Sequence, residues 1–303
     1  MEYVLQTDSL IKRYHSFSAL DGLTMHVPKG SIYGLVGKNG AGKTTLIRLI
    51  CGIQRPTSGS FELFGISNDS KDIVKARRRT GAIIETPTLY GEMTAEQNLK
   101  QQALILGRPS FDGIPDPLRL VGLENTGKKK AKHFSLGMKQ RLGIAIALVG
   151  EPDFLVLDEP VNGLDPQGIV EMREMLLKLN RERRITMIIS SHILDELSRL
   201  ATHYGFIDHG RMLQELSVDE LESACRKSFY MEVSDTSALA RVLDDLRIEY
   251  KIVSESSAYV YDQMNVTRLV LALAREGCEV LSIQERNESL QTYYLSLVGS
   301  DKT

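Results

Sequence analysis

An α/β protein with a parallel sheet, continued by a smaller α+β unit, is the fold this 303-residue sequence predicts, on three observations. The apolar, β-leaning run SIYGLVG (31–37) meets the glycine turn GKNGAGKT (37–44), and TTLIRLICG continues with Leu46, Leu49 and Ile50 at helical spacing. The runs FLVLD (154–158) and ITMIIS (185–190) flank a helix-patterned stretch, GIVEMREMLLKLN, which makes one βαβ unit with parallel strands. Residues 228–298 read strand, helix, strand, strand, helix, strand and a final helix, the order of a ferredoxin-like unit.

From the N-terminus, residues 2–36 alternate as short strands, with turn signals at Asp21-Gly22 and Pro28-Lys29-Gly30. The turn at 37–44 has the spacing G-x-x-x-x-G-K-[ST] of a phosphate-binding loop. Strand, glycine turn and helix start aim backbone N–H groups and the positive end of the helix dipole at one spot. The expected nucleotide contacts are therefore Gly37, Lys38, Asn39, Gly40, Ala41, Gly42, Lys43, Thr44 and Thr45. Gly40 and Gly42 let the backbone curl around phosphates, Lys43 reaches the β and γ phosphates, and the Thr44 hydroxyl ligates Mg²⁺.

Between about 87 and 150 the texture turns helical, and this stretch reads as a helical insertion. Thr94-Ala95-Glu96-Gln97 is a capping box, and Ser135 is the N-cap of LGMKQRLGIAIALVG. FLVLD ends in Asp158 and Glu159, at the sheet edge where the loop strand also ends and where ligands bind in such folds. There Asp158 holds Mg²⁺ through its water shell, and Glu159 accepts the proton of a water attacking the γ phosphate. His192 follows the ITMIISS strand and projects at the same edge. His15, His26, His133, His203 and His209 show no mutual ligand spacing.

Composition narrows the partners. Hydrophobic residues make 42%, charged residues 25%, and the formal net charge is −2, so no basic field points to nucleic acid. The short basic runs at 77–79 and 128–130 read as solvated faces. Cys51, Cys225 and Cys278 are widely separated, odd in number and without any CxxC spacing, so neither a disulfide framework nor a zinc site is indicated, and a reducing cytosol fits best. The N-terminus has no signal-type apolar core, and no stretch nears the ~18 uncharged residues of a membrane span. Any work at a membrane is expected from its cytoplasmic surface, through another chain.

The motifs GKNGAGKTT, FSLGMKQR, FLVLDEP, NGLDP and SSH stand in the order and approximate spacing of the ATP-binding cassette ATPases, the motor subunits of ABC transporters. Over about 1–216 the chain resembles that family. The resemblance implies a P-loop NTPase with an ABC-type β-subdomain and a helical insertion over 1–216, with an accessory α+β domain over 217–303. It implies ATP and Mg²⁺, with His192 as the switch histidine sensing the γ phosphate. Tyr14 falls where the family stacks an aromatic ring on adenine, with Phe17 close by. FSLGM matches the signature sequence, and Gly163-Leu164-Asp165 the segment that crosses a dimer. A head-to-tail homodimer follows, in which Ser135, Gly137 and Met138 of one subunit complete the ATP site of the other. Ser135 also reads as a plain helix cap.

The chain departs from the family twice. Glu85 stands where most members carry Gln, still able to bind Mg²⁺ or its water, and FSLGM replaces the usual LSGGQ. Both departures resemble those of bacterial exporters of the bacitracin and lantibiotic self-protection type. The implied function is the ATP-hydrolysing subunit of an exporter of drug or antimicrobial-peptide type, peripheral on the inner face of the membrane. Its insertion would meet a separate integral permease. A soluble ABC-type ATPase of translation or DNA repair is the rival, and such proteins tend to carry two cassettes or a long coiled coil. A GTPase would show [NT]-K-x-D, which is missing, and a kinase has no need of FSLGM. For the C-terminal unit, dimer stabilisation and small-ligand sensing both remain open.

Overall fold

The chain opens on two strands of twelve residues, β1 (Tyr3–Tyr14) and β2 (Phe17–Pro28), longer than the alternation predicts. Asp21-Gly22 is not a turn between strands. Gly22 takes φ 78° and is skipped in the register between Leu10↔Leu23 and Ile11↔Asp21, which makes it a β-bulge inside β2. The bulge is held from outside the pair, because Asp21 N donates to Gly210 O and the Asp21 carboxylate accepts from Arg211. The hairpin turn lies at His15-Ser16 instead, with His15 at φ 51°.

The computed structural model describes residues 2–108, 110–224, 228–261, 266–286 and 290–300, and the chain divides into Met1–Val218 and Asp219–Thr303. The first unit continues with β3 (Ile32–Val36), α1 (Lys43–Ile50), β4 (Ser58–Leu63), β5 (Ile66–Ser67), α2 (Ile73–Arg78) and β6 (Thr80–Ile83). The insertion carries α3 (Ala95–Ile105), α4 (Pro115–Leu120) and α5 (Leu136–Leu148). β7 (Phe154–Asp158), α6 (Pro166–Arg183), β8 (Thr186–Ser191), α7 (Leu194–Ser198), β9 (His203–Asp208) and β10 (Arg211–Ser217) follow, and α8 (Val218–Ala224) straddles the division.

One sheet is antiparallel, in the order β2-β1-β4-β5. The other runs β10-β9-β3-β8-β7-β6, parallel throughout except for β10. β3, β7 and β8 are buried at every residue, which is why they read as unbroken apolar runs rather than alternating ones. Leu46, Ile47, Leu49 and Ile50 fix α1 in the core beneath the glycine turn, each worth about 1.5–3 kcal/mol of burial.

The insertion is built from its predicted caps. Thr94 Oγ1 accepts from Gln97 N at 3.2 Å while Gln97 Oε1 accepts from Thr94 N at 2.9 Å, and Ser135 Oγ accepts from Met138 N at 3.2 Å. Buried Leu99, Leu118 and Leu142 join α3, α4 and α5.

The second unit holds β11 (Ser228–Val233), α9 (Thr236–Leu246), β12 (Glu249–Ser254), β13 (Ser257–Tyr261), α10 (Val266–Arg275), β14 (Val280–Arg286) and α11 (Leu290–Ser300). Its sheet is antiparallel, β12-β13-β11-β14, so the first strand lies between the third and the fourth as in ferredoxin-like folds. Met231, Val233 and Val260 from the strands meet Leu239, Leu243, Leu269 and Leu273 from the helices in one core. Cys51 and Cys278 are free thiols; Cys225 and the Glu288-Ser289 start read for the last helix lie outside the described residues. Among the described residues no helix is long and apolar enough to cross a membrane.

Candidate nucleotide site

The parallel register brings the chemistry to one edge. Val36 lies opposite Ser191 and Asp158 opposite Ser190, so the residues that follow, Gly37, His192 and Glu159, emerge together where β3, β8 and β7 end. The glycine turn is held open by backbone conformation: Gly40 takes φ 84° and Gly42 φ 111°. Gly42 also has no room for a side chain, since a Cβ would sit 2.6 Å from Ala19 O. Gly42 caps α1, whose N-terminus points its free N–H groups into the loop formed by Lys38, Asn39 and Ala41.

Lys43 is buried and folds back over the loop, donating to Gly37 O at 2.5 Å and Lys38 O at 3.3 Å. Its Nζ also lies 3.6 Å from Glu159 Oε1. Burial pulls the ammonium below the usual lysine range, while Glu159 and Asp158 work against that shift. Thr44 Oγ1 donates to Asp158 Oδ2 at 2.8 Å, and the second carboxylate oxygen accepts from Ser190 Oγ at 2.5 Å. Glu159 holds a left-handed backbone, φ 50°, with its N–H bonded to Ser190 O and Oγ at 3.2 and 3.0 Å. His192 Nδ1 lies 2.8 Å from Glu159 Oε2. Thr45 follows Thr44 in the first turn of α1.

Ser135, Gly137 and Met138 line a different cavity, of about 440 Å³, together with Gly163 and Asp165. Asp165 Oδ1 caps α6 by accepting from Gly168 N at 2.9 Å. None of the loop residues, Asp158, Glu159 or His192 lines this cavity. A single chain therefore carries two separate anion-suited helix starts. Glu85 follows β6 with φ 61°, and its carboxylate accepts from Arg48 at 2.5 Å. Tyr14 is hydrogen-bonded to Gln54 and lies under Lys12 Nζ, 5.2 Å from the ring centroid, with Phe17 as its register partner.

Sequence reasoning missed Ser190 and Arg48. Ser190 had a signal, a hydroxyl at the ligand edge of a buried strand. It is fully buried and touches both acidic residues, so Ser190→Ala leaves part of Asp158 unpaired. The expected loss is about 1–3 kcal/mol in urea unfolding, with kcat lowered more than ATP affinity. A stability unchanged within about 0.3 kcal/mol would show that the hydroxyl does not hold the two acids.

Fold and edge geometry define a phosphate-loop nucleotide-binding protein. Comparison with known proteins narrows this further. The family model described as ABC transporter matches residues 20–162. The bacitracin transport ATP-binding protein BcrA of Bacillus licheniformis is 41% identical over 303 residues, covering 99% of this chain and 98% of its own. The lantibiotic transport ATP-binding protein SrtF of Streptococcus pyogenes is 43% identical over 220 residues, 73% of this chain and 93% of its own. Among solved structures, cbiO1 of Clostridium perfringens, part of the ABC transporter complex cbiONQ, superposes with TM-score 0.67 at 27% identity, covering 82% of this chain and 97% of its own. The chain belongs to the ATP-binding proteins of ABC transporters, and it is an ATPase. The kinase and GTPase readings fall away, and the transport-free reading is not favoured.

Proposed function

We propose that the chain powers an exporter of bacitracin- or lantibiotic-type peptide antibiotics, closing on ATP as a head-to-tail homodimer against a separate integral permease on the cytoplasmic side of the membrane. The observation that carries the dimer is the separation of the loop from the cavity at Ser135 and Gly137. The loop already cradles the ATP of its own chain, so the second helix start is placed to serve a partner's phosphates. The substrate class rests on the likeness to BcrA, which runs through both units. The ATP-binding domain is read as residues 1–216, with the helical subdomain at about 87–150, and the accessory domain as 217–303; the compact units divide two residues later, after Val218. No nucleic-acid partner belongs to this reading.

In this reading the loop from Gly37 to Thr45 holds the phosphates, Lys43 turns from Gly37 O and Glu159 to the β and γ phosphates, and Tyr14 stacks on the base. Thr44 Oγ1 and Asp158 Oδ2 are hard oxygens brought within 2.8 Å, so the hydroxyl would ligate Mg²⁺ while the carboxylate would hold it through its water shell. They fit that ion, with Glu85 as a further acid at the same edge. An ion held by these residues would neutralise charge developing on the phosphates. Glu159 accepts the proton of the attacking water, and His192, already bonded to it, orients its carboxylate toward the γ phosphate. The permease docks in the groove of about 450 Å³ beside the insertion, between Ile83, Thr86 and Pro87 on one side and Leu106, Ile146 and Ala147 on the other.

Gly137→Asp tests the shared site. A Cβ there meets only Leu164, at 3.7 Å, so the new carboxylate is tolerated in the monomer but faces the partner's γ phosphate. Monomeric ATP binding should stay within about twofold of wild type, while ATP-dependent dimerisation and hydrolysis fall by about 100-fold or more. Hydrolysis at the wild-type rate would refute the site in trans. Recovery of an integral permease with the full chain from membranes tests the remainder.

A further inference from the structure

Arg48 and Glu85 bring a base and an acid together where the nucleotide helix meets the entrance to the insertion. Arg48 follows Thr44 by four residues on α1, so both project from one face, about 6 Å apart along the axis. Glu85 lies two residues beyond Ile83, which pairs with Leu157 next to Asp158, so it leaves the sheet at the carboxylate edge. Its carboxylate accepts from Arg48 Nη2 at 2.5 Å. The two side chains are 36% and 60% exposed, so the pair is weak, screened by salt and readily exchanged.

We propose that Arg48 is a positioning residue that competes with Mg²⁺ for Glu85. The proposal rests on the reading of Glu85 as an acid on the metal side of the site. Without nucleotide, the guanidinium neutralises a third carboxylate at an edge that already carries Asp158 and Glu159, and it ties α1 to the stretch leading into α3. With Mg·ATP in place, the Glu85 carboxylate changes partner and that tie is released. A glutamine at 85 would leave the guanidinium no charge to hold, so the acid in this chain turns nucleotide occupancy into a charge exchange at the root of the insertion.

The test is equilibrium binding of a fluorescent ATP analogue to the full chain, titrated with Mg²⁺ at low salt. R48Q should lower the Mg²⁺ concentration for half-maximal binding about three- to fivefold, and R48K should stay within about twofold of wild type. In an E85Q background the R48Q effect should vanish. A second measurement needs no Arg48 variant: at about 0.5 M NaCl the wild-type requirement for Mg²⁺ should fall relative to that of E85Q. An R48Q shift of equal size in both backgrounds, or no R48Q shift while E85Q itself moves the midpoint, overturns the role of Arg48 and leaves Glu85 at the metal. A midpoint that E85Q does not move overturns the reading of Glu85, and this proposal with it.

Discussion

Glu159→Gln should bind ATP at least as tightly as the wild-type chain and hydrolyse it about 10²–10⁴-fold more slowly, the usual worth of a positioned general base. The substitution keeps the size of the side chain and one acceptor for His192, so the 2.8 Å contact that orients the group survives. What disappears is the proton acceptor. It also removes the carboxylate 3.6 Å from Lys43, freeing the ammonium for phosphate and lowering the negative charge where the γ phosphate must sit. Affinity and turnover should therefore move in opposite directions. Phosphate release together with size-exclusion chromatography in ATP would read both: a slow enzyme should persist as a nucleotide-bound dimer. Turnover within about threefold of wild type would remove Glu159 from the chemistry.

Lys43→Met should lower ATP affinity about 10- to 100-fold, since charge-assisted bonds to phosphate contribute roughly 1.5–3 kcal/mol and each 1.4 kcal/mol is tenfold. The nucleotide-free protein should not be destabilised by the same change. Burial pulls the folded-state pKa of Lys43 below its ordinary 10.5, so the folded chain holds this proton less tightly than the unfolded chain. The penalty is fully present below the folded value, and stability rises with pH between that value and 10.5, where the unfolded state binds more protons. Methionine fills the space and removes the buried charge. Thermal unfolding with and without ATP should show an unchanged or higher midpoint without nucleotide and little or no ATP-induced shift. A large loss of stability without nucleotide would mean that the contacts with Gly37 O and Glu159 outweigh the cost of burial.

Local features were legible because local rules write them. The glycine turn, the capping box at Thr94 and the cap at Ser135 each depend on residues within a few positions, and the structure forms all three. Continuous apolar runs mark fully buried parallel strands, which is why β3, β7 and β8 could be placed. Asp21-Gly22 misled for the converse reason. A dipeptide that favours a turn also suits a bulge, and the choice was made by Gly210 and Arg211, far along the chain. Arg48 escaped because it belongs to no local pattern, and the position of Ser190 at a strand end does not say which acid it holds; each acts through a contact that the sheet register or helix placement creates.

By itself, the sequence determined the phosphate loop, the acidic strand end, the capped insertion and the order of elements in the second unit, because spacing along one chain sets backbone conformation and period. The tertiary structure alone decided the rest. It set Asp158 between Thr44 and Ser190, bonded His192 to Glu159, held Glu85 on Arg48, and kept the Ser135 cavity apart from the loop. Those pairings join residues dozens of positions apart, and only the packing of strands and helices in three dimensions selects which distant groups meet.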